Sequence, residues 1–166
     1  MEQAIAHDAA AFFSIINHSF KFKAFLLQKL PAAFFAGLKV ETANDETCAV
    51  SVPYNWRTQN PFRSTYFASL SMAAEMTTGA LGMANIFKRK PSAAMLLLAV
   101  ESKYYKKATG KTVFTCRDGL QIKDAVERAY ATATPQKITA KSEGYNQANE
   151  LVAEFWFTWS FKVRGG

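Results

Sequence analysis

The sequence predicts an α+β fold, one long apolar helix wrapped by a curled six-stranded antiparallel sheet. Three observations carry this. Between Arg63 and Lys88 lie twenty-four residues, of which only Glu75 is charged, and a helix that is apolar all round is a buried one. Leu151, Ala153, Phe155, Phe157, Trp159, Phe161 and Val163 take every odd position of one run, the period of a strand with one buried face. Finally, two strand-like runs precede the apolar helix and four come after it, this last run included.

Taken in order, residues 1–17 are Ala-rich and helix-prone, with Phe12, Phe13, Ile15 and Ile16 as an apolar patch. Residues 18–36 repeat the helical spacing through Phe22, Phe25, Leu26, Leu30, Ala33 and Phe34. Pro31 should end or kink that helix, and Gly37 should stop the helical segment beyond the kink. His7 and His18 fall here without a metal-ligand partner at suitable spacing, which suits surface or cap roles. From Leu38 the period becomes two. Leu38–Thr42 and Thr47–Val52 flank Asn44-Asp45 and read as a hairpin. The stretch from Asn60 to Ala84 organises the chain. The central helix is expected over the twenty-four residues between Arg63 and Lys88, with Asn60 just before it and Gly79 and Gly82 marking places of close approach. Met95–Tyr105, Lys111–Arg117 and Thr134–Gly144 read as strands, 118–131 reads as a loop or a short helix, and Leu151–Val163 completes the sheet. Residues 1–166 thus form one domain, an N-terminal helical extension (1–36) on a core (37–163).

Apolar residues make up 49% of the chain and aromatics 14%, with fourteen Phe, enough for a sizeable core. The net charge of +7 suggests an anionic partner. Its lysines are scattered, however, apart from Lys88-Arg89-Lys90 and the stretch from Lys103 to Lys111, which disfavours a nucleic-acid surface. Cys48 and Cys116 each sit in an alternating run and read as buried free thiols, in keeping with a reducing cytoplasm. The N-terminus lacks a basic n-region, and no stretch reads as membrane-spanning. Neither a Gly-rich phosphate loop, a zinc pattern nor a Ser-His-Asp arrangement is present in the sequence.

Glu75 is the residue that demands an explanation. Burial of a lone carboxylate costs several kcal/mol and raises its pKa. It could instead occupy one exposed strip of the helix, or bond to Ser71 or Thr78 on adjacent turns.

The element order, together with the run NPFRSTYFASLSMAAE (60–75) and the segment VESKYYKKATGKTVFTC (100–116), resembles the hotdog-fold thioesterase superfamily. The likeness is to the phenylacetate-pathway type and to a thioesterase-like branch without the His-Gly-Gly signature. In such enzymes an Asn or Gln precedes the catalytic carboxylate by fifteen residues, the separation of Asn60 and Glu75 here. The resemblance implies hydrolysis of acyl-CoA or acyl-carrier-protein thioesters. Glu75 would be base or nucleophile, Asn60 the residue orienting water or carbonyl, and the helix start at Tyr66, Phe67 and Ala68 the oxyanion and substrate site. Glycines are common in the family where this chain has Phe67 and Ala68, and Tyr66 replaces a frequent His. The absence of a His near the central helix argues against hydro-lyase chemistry. Lys88, Arg89, Lys90, Lys103, Lys106 and Lys107 are candidates for CoA phosphates. No cofactor beyond the CoA of the substrate is implied, and no metal. The resemblance also implies a homodimer or homotetramer, with Asn60 and Glu75 drawn from different subunits, and no membrane insertion. The other reading is an acyl or lipid binder on the same scaffold without catalysis.

Overall fold

The computed structural model describes residues 8–164, so His7 lies outside the described residues. Three short helices open the chain: α1 (Ala9–Ile16), α2 (Ser19–Lys29) and α3 (Pro31–Ala36). The expected break at Pro31 falls where predicted, Leu30 closing α2 and opening α3, because proline suits a helix start but not its interior. His18 caps α2, its Nδ1 accepting from the Lys21 N–H at 3.5 Å. Gly37 ends α3 in the left-handed region, φ +76°.

The hairpin comes next as β1 (Lys39–Ala43) and β2 (Cys48–Val52). Its turn is held by the Asn44 carboxamide oxygen, which accepts from the N–H groups of Glu46 and Thr47, each at 2.9 Å. Then come α4 (Phe67–Ile86), β3 (Ala93–Tyr104), β4 (Thr112–Cys116), α5 (Gly119–Thr132), β5 (Gln136–Tyr145) and β6 (Leu151–Val163). The sheet is antiparallel in the order β1-β2-β4-β5-β6-β3. Alternation along β6 places Phe155, Phe157 and Phe161 in the core, and the strand is interior, paired to β5 and β3. This is the hotdog arrangement, a six-stranded antiparallel sheet against one long helix. The sheet is open, its edges being β1 and β3.

Two expectations are corrected. The central helix has 20 residues, about 30 Å, and begins at Phe67 rather than directly after Arg63. Residues 60–66 are a loop because Arg63 has φ +58° and the Asn60 side chain closes a local turn. Nor does the sheet alone enclose α4, which also packs on α1 and α5. The ambiguous stretch 118–131 is a 14-residue helix, α5, burying Ile122, Ala125, Val126 and Ala129 at the three-and-four spacing of one helical face. Cys48 and Cys116 face each other across β2 and β4 as buried free thiols. Burial pushes both up to about 12, where neither is nucleophilic.

Candidate active site

Glu75 projects from the middle of α4 into a cavity of about 260 Å³. The lining comes from four sources: α1 (Phe12, Ile16), α2 with its C-terminal Leu30 (Phe22, Phe25), α4 (Met76, Gly79, Ala80, Met83), and the strands (Met95 on β3, Trp159 on β6). Glu75 is the only charged residue among them. The Trp159 indole N–H is already committed to Thr78 Oγ1 at 2.9 Å, so among these lining residues the Glu75 carboxylate is the one uncommitted polar side chain in an apolar wall. Desolvation alone moves its pKa, upward from 4.5, since loss of water disfavours the charged form. The anticipated bonds to Ser71 or Thr78 do not form. Thr78 Oγ1 donates to the Glu75 backbone carbonyl at 3.0 Å, and among the described residues none donates to the carboxylate.

A second cavity, about 500 Å³, opens at the N-terminus of α4. Asn60, Tyr66, Phe67, Lys106 and Lys107 line it together with Tyr104, Tyr105 and Leu70. Asn60 and Glu75 therefore line separate cavities of one chain. The Asn60 Oδ1 accepts from the N–H groups of Phe62 (2.9 Å) and Ser64 (3.2 Å), and its Nδ2 donates to Ser64 Oγ (3.1 Å). One amide hydrogen is left over. This loop is pinned to the segment after β3, Thr65 N–H donating to the Ala108 carbonyl at 2.8 Å.

The three residues at the helix start differ in what they offer. The Tyr66 N–H is taken by the Thr58 carbonyl at 2.7 Å. Phe67 and Ala68 occupy the first turn of α4, where N–H groups have no intrahelical acceptor, and no acceptor outside the helix is found for them among the described residues. Those two donors, at the positive end of a helix dipole, suit an anionic oxygen. The Phe67 ring is 56% exposed and stacks edge-on against Tyr66 at 5.0 Å between centroids.

The six basic candidates divide between the two ends of α4. Lys88, Arg89 and Lys90 lie just beyond its C-terminus, whereas Lys103, Lys106 and Lys107 sit at or beside the N-terminal cavity. One phosphate tail cannot use both groups. Arg89 forms a two-pronged pair with Glu127, both N–O distances 2.7 Å, and stacks over Tyr130 at 3.7 Å. Its side chain is 10% exposed, and this engagement ties it to α5 rather than leaving it open to a phosphate. Lys88 and Lys103 lie over the rings of Phe87 and Trp156, and Lys106 pairs with Glu150.

The wealth of Phe in the N-terminal region and last strand suggests an apolar acyl pocket, and what sequence reasoning missed is where that pocket lies. Phe12, Ile16, Phe22 and Phe25 carry an apolar signal, but nothing local says that they converge on Glu75. Among the described residues no helix is long and apolar enough to cross a membrane.

Solved structures share this architecture. PA5026 from Pseudomonas aeruginosa, a protein of unknown function named "Probable Thioesterase", superposes with TM-score 0.74 at 16% identity, over 90% of this chain and 99% of that one. Thioesterase HI1161 from Haemophilus influenzae gives 0.60 at 11% identity, over 88% and 91%. A variant of thioesterase PA1618 from Pseudomonas aeruginosa gives 0.60 at 13%, over 89% and 96%. At such identities the likeness is one of fold. No curated protein is matched by sequence. A family model does match over residues 19–161, most of α2 through β6, and the chain belongs to that family, the domain of unknown function DUF4442.

Proposed function

We propose that this protein is a thioesterase acting on acyl thioesters of CoA or of an acyl carrier protein, with Glu75 as base or nucleophile. The single observation that carries the reading is a solitary carboxylate, unpaired among the described residues and desolvated, in the wall of an apolar cavity. Three of the solved structures that share the fold bear the name thioesterase, which supports the same class of reaction.

As base, the Glu75 carboxylate takes a proton from water while the water oxygen attacks the thioester carbonyl. The oxyanion that forms is met by the Phe67 and Ala68 N–H groups, and the C–S bond then breaks, the leaving sulfur taking the proton held by Glu75 to depart as the thiol. As nucleophile, Glu75 attacks the carbonyl itself, the C–S bond breaks to expel the thiolate, and water hydrolyses the resulting anhydride to the free acid and the Glu75 carboxylate. Either route needs the helix-start donors and the remaining Asn60 hydrogen beside Glu75, and within one chain these lie in different cavities. A second copy resolves this. The β3 edge has no strand beyond it and exposes Leu96, Leu98 and Val100, an invitation to edge pairing. In a homodimer joined there, Asn60 of one copy and Glu75 of the other would share one site, and Lys106 and Lys107 at the mouth would meet the CoA phosphates. A homotetramer would pair two such dimers, and a cytoplasmic setting suits the free thiols.

Binding without hydrolysis is a second reading, favoured by the lack of any side-chain donor to the Glu75 carboxylate among the described residues. A thiol-release assay over short, long and aromatic acyl-CoAs separates the two. The first reading expects turnover that Glu75→Gln lowers by about 10²–10⁴-fold with the fold intact. Equal turnover by variant and wild type would remove Glu75 from the mechanism, and a ligand that raises the Tm without being consumed would favour binding.

A further inference from the structure

The cavity around Glu75 is walled on one side by the chain's own N-terminal helices, and its dimensions and chemistry specify an occupant. Phe12, Ile16 and Phe22, all buried, lie deep in it, together with Met76 and Trp159. Leu30 and Met83, both substantially exposed, form its rim. Because Trp159 spends its N–H on Thr78, the wall offers a ligand one polar side chain only, the Glu75 carboxylate. A ligand with hydroxyl, amino or carboxyl groups along its length would bury them without partners, at a cost of about 1–3 kcal/mol each. The occupant must therefore be polar at one end and hydrocarbon elsewhere.

Its size can be read from the volume. An apolar protein cavity of about 150 Å³ takes a six-carbon benzene ring. At the same carbon density, about 260 Å³ takes about ten carbons. The wall also favours a chain over a flat ring, since Met76, Met83 and Met95 contribute flexible thioethers that mould to an irregular shape.

We infer that the cavity roofed by α1 and α2 holds an unsubstituted, straight acyl chain of about ten carbons, its carbonyl end at Glu75, and that the roof residues set chain length. This deepens the thioesterase reading and rests on it for the carbonyl's position, whereas chain binding does not need hydrolysis.

The experiment tracks two readouts in wild type and three variants. Ala80→Phe narrows the cavity from α4, Met83→Trp narrows its rim if the first variant misfolds, and Phe22→Ala lengthens the cavity at the roof. Circular dichroism confirms folding. In straight-chain acyl-CoA hydrolysis from acetyl to palmitoyl, kcat/KM should climb by up to about fourfold per methylene to a maximum near decanoyl. The narrowing variants should move that maximum to shorter chains and Phe22→Ala to longer ones. In thermal melts, 1-decanol should raise the Tm of wild type and leave the narrowed variant unmoved. Hydrolysis with a maximum that no variant moves, or that peaks on an aromatic acyl group, overturns the inference and leaves the thioesterase reading standing. If no thioester is cleaved but 1-decanol stabilises wild type and not the narrowed variant, the chain site stands and hydrolysis falls. No cleavage and no stabilisation overturns both.

Discussion

The carboxylate of Glu75 lies over the bare Cα of Gly79, one turn further along α4. A methyl group on Gly79 would stand 3.0 Å from Glu75 Oε1 and 3.7 Å from the Trp159 ring. Glycine in a helix costs about 1 kcal/mol relative to alanine, so its presence here exchanges helix stability for room beside the acid.

That exchange makes Gly79→Ala informative. The helix gains propensity, while the carboxylate must give way by a few tenths of an ångström. We expect a folded protein of near-unchanged Tm whose thioesterase kcat falls by up to about 10-fold, less than the roughly 10²-fold that misplacement by about an ångström costs. Full activity in the alanine variant would mean that the position of the carboxylate is immaterial.

The desolvation of Glu75 has a sign that can be tested. Its pKa in the folded chain lies above the ordinary 4.5, so between the two values the native state holds more proton than the unfolded one. Stability then falls as pH rises from about 4.5 through the raised native value. Glu75→Gln cannot ionise and escapes that loss. The variant should melt above wild type at pH 8, with the gap closing as the pH is lowered toward 4. Activity runs the opposite way, since only the ionised carboxylate is base or nucleophile, and should rise through the same window. A gap in Tm that is constant with pH would show the acid to be solvated.

How much of this is legible in the sequence depends on how local each signal is. The alternation of β6 and the uncharged run around Glu75 are properties of contiguous residues, and both elements appear where expected. The start of α4 differs from expectation because the Asn60 turn depends on contacts across sequence, including Thr65 to Ala108. Helix α5 is legible in principle through Ile122, Ala125, Val126 and Ala129, but its many polar residues suit a loop equally well. Glu75 stands out as the one charge in an apolar run and Asn60 only through the family resemblance, and neither signal shows that one chain holds them in separate cavities. The roof over Glu75 arises from packing of α1 on α4 and of α2 on α1, a tertiary fact with no trace in either segment by itself.

Gly119 tests the fold rather than the site. It opens α5 against the β1–β2 turn, its N–H donating to the Glu46 carbonyl at 3.0 Å. A Cβ there would lie 2.2 Å from the Asp45 carbonyl oxygen and 2.6 Å from that of Glu46. These are backbone atoms, unlike the mobile carboxylate beside Gly79, and they can yield only if the turn shifts. Gly119→Ala should destabilise by about 3 kcal/mol, the upper end for overpacking, read by urea denaturation. An unchanged midpoint would show that α5 does not abut the hairpin.

The exposed β3 edge should be the dimer interface. Replacing Leu96 and Leu98 by Lys leaves the β3–β6 ladder in place while charging the free edge, a device that blocks strand pairing. The expected result is a folded monomer by light scattering, with hydrolysis lost together with the dimer because Asn60 and Glu75 no longer share a site. A monomer that keeps full activity would require both residues to act within one chain, against the separation of their cavities.

Arg89 and the two lysines at the helix-start cavity separate structure from substrate binding. Arg89 holds Glu127 and Tyr130 of α5, so Arg89→Ala should lower stability by about 1–3 kcal/mol, the range for a hydrogen bond to a charged group left unpaired, without altering KM for an acyl-CoA. Lys106 and Lys107 line the open mouth, and Lys106 pairs with an exposed Glu150, an arrangement worth about 1 kcal/mol at most. Changing both to Ala should leave the Tm within a degree or two of wild type, on the order expected for exposed sites. It should raise KM for acyl-CoA several-fold, and less so at high salt, where phosphate contacts are screened. If KM responds to Arg89 and ignores the lysines, the phosphates lie at the other end of α4.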